Sequence, residues 1–169
     1  GQLIVFTTPL INNYGFPKDN INQYGINESI EAKKPYCKAI IVQEFTKNSS
    51  HYTAQKSFKN WLIKNEVIAL EGIDTRQLTK IIRENGSCKA RIYQENNENN
   101  ENKNSIPNFI DIGNINLVKG VIENRLIKYP NVVENKPKIL FYDCGTKNSQ
   151  LTALLSRNLH IDRVPYDFK

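Results

Sequence analysis

Three cysteines and two histidines are the residues of this chain whose side chains do nucleophilic or metal chemistry most readily. A cysteine that attacks an amide carbonyl needs an activated thiolate, a base within hydrogen-bond reach and backbone donors for the oxyanion. That machinery is built on a sharp strand-to-helix turn flanked by glycines. Cys37 follows Pro35-Tyr36, Cys88 follows Gly86-Ser87 and Cys144 follows Tyr142-Asp143, so none has glycine on both sides at that spacing. Cys144 is the candidate with the best setting, because it closes a strand just before a helix, where α/β proteins place ligands. The loop from Gly145 to Asn148 offers a second reading, an anion held at a helix N-terminus. Zinc is disfavoured, since structural zinc wants four Cys or His ligands in close pairs and His51 and His160 lie far from each other and from every cysteine. The odd, widely spaced cysteines also argue against a disulfide framework and for a reducing compartment.

The block Asp74-Thr75-Arg76 tempts a functional reading, yet Asp74 with Gln77 three residues on makes a capping-box helix start, and that accounts for the pattern. Arg76 is left to pair with a carboxylate or to face a partner. Trp61 falls on an apolar face with Phe58 and Leu62 and reads as core. His51 reads as a loop residue and His160 as lying in or beside a strand.

These residues are positioned by elements legible from period and punctuation. Leu3 to Thr7 is a branched apolar run closed by Pro9 and reads as a buried strand whose earlier neighbours lie outside the chain. Asn12 to Asn27 carries Gly15, Pro17 and Gly25 and reads as a long loop. Ala39 to Val42 is a second strand. Ala54, Phe58, Trp61 and Leu62 recur at helical spacing after Thr53, a candidate N-cap, and predict a helix ending near Asn65. Val67 to Leu70 reads as a short strand. A helix then runs from Asp74 to Gly86, which supplies the stop, and Cys88 to Tyr93 reads as another strand. Further on, Ile139 to Tyr142 reads as a buried strand, Gln150 to Leu155 as a helix and Ile161 to Val164 as a strand, which together make a strand–helix–strand unit of a parallel sheet.

A length of 169 residues allows one domain and the start of a second. The asparagine-rich stretch 95–104 has no apolar face to bury and explains a mean hydropathy of −0.53 beside an ordinary 39% of hydrophobic residues. Residues 128–137 hold Pro130 and Pro137 among polar residues and read as a linker, dividing a domain at 1–127 from one that begins at 138–169. The net charge of +6 raises a nucleic-acid or anion-binding module as the alternative function. Its basic residues are scattered, with no aromatic interleaving, which disfavours it. No apolar run approaches the roughly 20 residues that span a bilayer. The sequons at Asn27 and Asn48 matter only on a secretory route, and the chain is expected to be cytoplasmic.

The runs Phe6-Thr7-Thr8-Pro9-Leu10-Ile11-Asn12-Asn13-Tyr14-Gly15, Glu71-Gly72-Ile73-Asp74-Thr75-Arg76-Gln77-Leu78-Thr79-Lys80 with Arg83-Glu84-Asn85-Gly86, and Tyr142-Asp143-Cys144-Gly145-Thr146-Lys147-Asn148 resemble, in order and spacing, the glutamine-hydrolysing small-subunit family of carbamoyl-phosphate synthetase. The resemblance covers nearly everything but the asparagine-rich insertion, and the Gly-Ile-Asp-Thr-Arg block is its most specific part. The chain departs from the family at Asn12, where glycine is usual, and at Cys144, where a hydrophobic or aromatic residue is usual. Asn12 tolerates positive φ at modest cost.

The resemblance implies an α/β chain: a swivelling β/β/α N-terminal domain followed by the first strand–helix–strand of a flavodoxin-like, class I glutamine amidotransferase domain. It also implies a parent ligase with glutaminase activity. A cysteine, histidine and glutamate release ammonia from glutamine, and a synthetase part uses ATP, Mg and bicarbonate to make carbamoyl phosphate for pyrimidine or arginine biosynthesis. By the same resemblance the nucleophile lies beyond Lys169 and the glutamine-contacting serine just before Gly1. The chain is thus expected to hold no catalytic, cofactor or metal residues, to be inactive alone, and to act as a scaffold that docks onto a separate or fused synthetase partner.

Overall fold

The computed structural model describes residues 1–93, 108–130 and 135–169, so the asparagine-rich stretch 95–104 and residues 131–134 of the expected linker lie outside the described residues. In chain order the strands and helices are β1 (Leu3–Val5), β2 (Leu10–Ile11), β3 (Phe16–Pro17), β4 (Ala39–Ile41), β5 (Glu44–Phe45) and β6 (Ala54–Lys56), then α1 (Phe58–Lys64), β7 (Ile68–Leu70) and α2 (Thr75–Asn85). They continue with β8 (Ile127–Lys128), β9 (Lys138–Asp143), α3 (Asn148–Leu155) and β10 (His160–Pro165). The architecture is mixed α/β.

β1, β4 and β7 form a parallel sheet in that order, with Ile4 opposite Ile40 and Ile40 opposite Ala69. The centre is β4, buried at all three of its residues. β1 forms as expected but as an edge strand, and Ile4 is exposed rather than buried. α1 covers this sheet by inserting Leu62 between Ile40 and Val67, with Phe45, Phe58 and Trp61 packed around them. Trp61 is therefore core, as its place on the apolar face requires. Phe16 stacks on Trp61 with ring centroids 4.4 Å apart.

α1 begins later than its periodicity suggests. Ser57, not Thr53, is the N-cap and accepts from the Asn60 amide, while Ala54 to Lys56 form β6 against Phe16–Pro17. Thr53 is instead engaged by His51, whose Nδ1 lies 2.7 Å from its hydroxyl. Ala54 satisfied a helical spacing by coincidence: its four-residue offset from Phe58 fits a period of two as well as one of 3.6. α2 starts where Asp74 places it, with the Asp74 carboxylate accepting from the Gln77 amide at 2.8 Å, and Gly86 closes it at φ 74°.

Two further segments differ from expectation. Cys88 to Tyr93 joins no ladder among the described residues, since a strand's composition makes a strand only where tertiary context pairs it. The stretch Asn12 to Asn27 is more structured than a loop, holding β3, which pairs with β6, and a bridge between Ile21 and Asn27. Asn12 itself sits at φ 79°, the positive value its turn demands, and its side-chain amide donates to the Thr46 carbonyl at 2.9 Å.

β9, α3 and β10 form the expected parallel unit, with Ile139 opposite Ile161 and Phe141 opposite Arg163. β9 is buried on one face only, because Leu140 and Tyr142 point away from α3 and are half exposed. β8 adds antiparallel to the far side of β10, pairing Lys128 with Asp162, so the stretch expected as a linker opens on a ladder residue. The core beneath α3 consists of Leu151, Leu155 and Ile161 together with Ile26, which arrives from the segment before β4.

Candidate functional site

The turn after β9 is organised by one carboxylate. Asp143 is 1% exposed, and its Oδ1 accepts from the Gly145 and Thr146 amides at 3.0 Å each and from the Thr146 hydroxyl at 3.1 Å. Its Oδ2 accepts from Arg163 Nε and Nη2 at 2.9 and 2.6 Å. Burial opposes ionisation of Asp143, but the Thr146 and Gly145 amides and the Arg163 guanidinium outweigh it and hold the carboxyl below its ordinary range. Gly145 has to be glycine: its φ is 103°, and a Cβ there would meet the Val121 side chain at 3.1 Å.

This turn delivers α3 to a strap formed by residues 20–31. Asn148, the first residue of α3, donates both hydrogens of its side-chain amide, to the carbonyls of Asn27 and Ile30, each at 2.9 Å. Its backbone amide donates to the Glu31 carbonyl and the Ser149 amide to the Glu31 carboxylate, both at 3.0 Å. Glu31 thus supplies the negative charge that a helix N-terminus favours, and the Ser149 amide, with the Ser149 hydroxyl, holds its carboxyl below the ordinary range. Farther along α3, Asn22 donates to the Thr152 hydroxyl and Tyr24 to the Leu155 carbonyl. The strap is folded by Asn22, whose Oδ1 accepts from the Tyr24 and Ile26 amides.

These contacts answer the readings of the motif loop. An external anion at Gly145 to Asn148 has no free backbone amide to use, because those of Gly145 and Thr146 serve Asp143, that of Lys147 the Gln150 side chain and that of Asn148 the Glu31 carbonyl. Cys144 is exposed at the turn, as are Cys88 and, in part, Cys37. Neither histidine attends it: His51 packs edge-on against Tyr14, and His160 Nε2 lies 3.4 Å from Asp162 Oδ1. His51 lies in a loop and His160 opens β10, as expected. Four basic residues spread along the chain are engaged in ion pairs, Lys33 with Glu123, Lys56 with Asp19, Lys138 with Asp162 and Arg163 with Asp143, which does not favour a nucleic-acid-binding stripe. Between the strap, the segment around β8 and α3 lies an open cleft of about 360 Å³.

Residues 1–92 match the family described as carbamoyl-phosphate synthase small chain, CPSase domain. This chain belongs to the carbamoyl-phosphate synthase small-chain family. Over 99% of its length it is 37% identical to the carbamoyl phosphate synthase arginine-specific small chain of Chaetomium globosum, of which the match covers 36%. It is similarly 34% identical to multifunctional protein pyr1-3 of Dictyostelium discoideum and 36% identical to multifunctional protein CAD of Squalus acanthias, covering 8% and 7% of them. The chain therefore spans about a third of the small-chain relative and under a tenth of the multifunctional ones.

Within the small-chain family frame, all three motif runs have structural work in this molecule. The first makes the Asn12 turn, the second caps α2 through Asp74, and the third builds the Asp143 turn and places Asn148. Residue-by-residue reading missed the role of Asn148, although it stands inside the third run. It also missed Glu31 and Arg163, whose partners are 118 and 20 residues away. Separations of that kind leave no local pattern to find.

Proposed function

We propose that this chain is the stretch of a glutamine-dependent carbamoyl-phosphate synthase that seats the glutaminase unit. The parent hydrolyses glutamine and passes ammonia to a synthetase part, a separate large subunit or a fused domain, for ATP- and bicarbonate-dependent carbamoyl phosphate synthesis. On this reading residues 1–127 are the small-chain N-terminal domain, of the swivelling β/β/α type, 128–137 the linker and 138–169 the start of a flavodoxin-like class I amidotransferase domain. ATP and Mg belong to the synthetase part, glutamine to amidotransferase residues outside this stretch, and the assembly is cytoplasmic. Pathway use is arginine or pyrimidine biosynthesis, in line with the arginine-specific small chains among its relatives.

The observation that carries the proposal is the latch of the strap onto α3. A helix and strand at the start of one unit are held by Asn22, Tyr24, Ile26 and Glu31 of the other, through side-chain and backbone hydrogen bonds and a shared apolar core. An interface of that density fixes orientation, which is what a scaffold must do for a reactive centre nearby. No reactive group in the latch is placed to attack an amide, so the part played is positioning.

The test is ammonia release from glutamine by this 169-residue chain, compared with the chain extended at both ends along its own gene, with and without the synthetase part. The proposal expects release only from the extended chain, stimulated by the synthetase part. Release by the 169-residue chain itself, abolished by Cys144→Ser, would overturn it.

A further inference from the structure

We propose that the cleft between the strap and the segment around β8 binds a small anion, a phosphate or a carboxylate, and that Glu123 is its built-in competitor. The cleft holds about 360 Å³, within the range of small-ligand sites, and its walls combine apolar Ile26 and Leu151 with the charged Lys33, Glu123, Arg125 and Arg163.

The charge balance is what points to an anion. Three cations line the cleft, and the carboxylates they meet are Glu123, paired with Lys33 at 2.8 Å, and Asp143, bound by Arg163. That leaves one positive charge in excess. The excess sits on Arg125, which takes part in no ion pair among the described residues. Arg163 has its Nη1 on the Tyr129 hydroxyl at 3.4 Å, a long bond that a better acceptor would replace.

Glu123 reports the same field. Its carboxyl is held below the ordinary range first by the hydrogen bond and charge of Lys33, against burial, and then by Arg125 and Arg163. One carboxylate therefore shares the cleft with three cations. Lys33 is 78% exposed, so the pair that Glu123 makes with it is open to water and easily exchanged. A soluble anion with two or three acceptor oxygens satisfies Lys33 and Arg125 together, which the single Glu123 carboxylate does not do. This inference is independent of the scaffold proposal, because it concerns occupancy of the cleft and not ammonia release.

The experiment is isothermal titration calorimetry of the full-length protein with inorganic phosphate and, separately, with L-glutamate, at constant ionic strength in chloride. Saturable binding of one or both is expected, and which one binds tells whether the site prefers a tetrahedral anion or a carboxylate. Arg125→Gln should weaken binding about tenfold, the loss of one charge-assisted contact. Glu123→Gln should tighten it about fivefold by removing the competitor. Lys59→Gln, on α1, should leave it unchanged. The proposal is overturned by the absence of saturable binding up to about 10 mM of either anion, by an Arg125→Gln isotherm equal to the wild type's, by failure of Glu123→Gln to tighten binding, or by equal weakening from Lys59→Gln, which would mean diffuse attraction to a basic surface.

Discussion

Arg163 donates twice to one oxygen of Asp143, tying the carboxyl end of β9 to its parallel neighbour β10. The other oxygen of Asp143 holds the turn that launches α3, so a single buried side chain joins two strands and a helix. Asp143→Asn keeps the shape and one acceptor but leaves the mostly buried Arg163 guanidinium without its counter-charge. Removing one partner of a buried pair costs about 3 kcal/mol. Urea unfolding followed by circular dichroism should show a loss of that size, and a loss below about 1 kcal/mol would mean that the pair behaves as a surface one.

Acid should remove the same contribution. Asp143 has its carboxyl pKa lowered in the folded chain, so the unfolded state takes up a proton first as pH falls. The stability due to Asp143 is complete above the ordinary aspartate value of about 3.9 and is lost as pH falls through the lower folded value. The gap in stability between wild type and Asp143→Asn should be flat from about pH 7 to 5 and close below about pH 4. A gap that closes near neutrality would place its origin elsewhere.

Period and punctuation were enough to find what local physics decides. The α2 cap at Asp74, its stop at Gly86 and the β9–α3–β10 unit all follow from residues a few positions apart. What they could not reveal were partners chosen by tertiary contact. Thr53 had a cap's chemistry but was captured by His51, and Cys88 to Tyr93 had a strand's composition but joins no ladder among the described residues. The site was least legible of all: Asn148 lay inside a recognisable run, yet nothing near it names Asn27, Ile30 or Glu31 as its partners.

Asn148 offers the most direct probe of the strap. Asn148→Ala removes both side-chain donors and leaves the Asn27 and Ile30 carbonyls without them in a part-buried place. A cost of about 2 kcal/mol is expected. Hydrogen exchange of the Tyr24 and Ile26 amides should quicken more than that of Leu62 or Val67, which belong to the other core. Uniform quickening across both cores would mean that the strap is not a separable unit.

Asn12 tests the family departure. Asn12→Gly puts in the residue that the family resemblance leads one to expect, relieves positive φ and forfeits the bond to the Thr46 carbonyl, so stability should change by less than about 0.5 kcal/mol. Asn12→Ala forfeits the bond without relieving the backbone and should cost about 1.5 kcal/mol. Equal melting temperatures for the two variants, both of which lack the bond, would show that backbone strain does not matter at this turn.

The scaffold role itself is tested by one comparison in the full-length protein assembled with its synthetase part: carbamoyl phosphate formation from glutamine and from free ammonia, for wild type and Asn148→Ala. If the strap positions the glutaminase unit, glutamine-dependent synthesis falls several-fold while ammonia-dependent synthesis, which bypasses that unit, is unchanged. Equal rates from glutamine in the two proteins, with the variant shown to have lost its strap protection, would contradict the account.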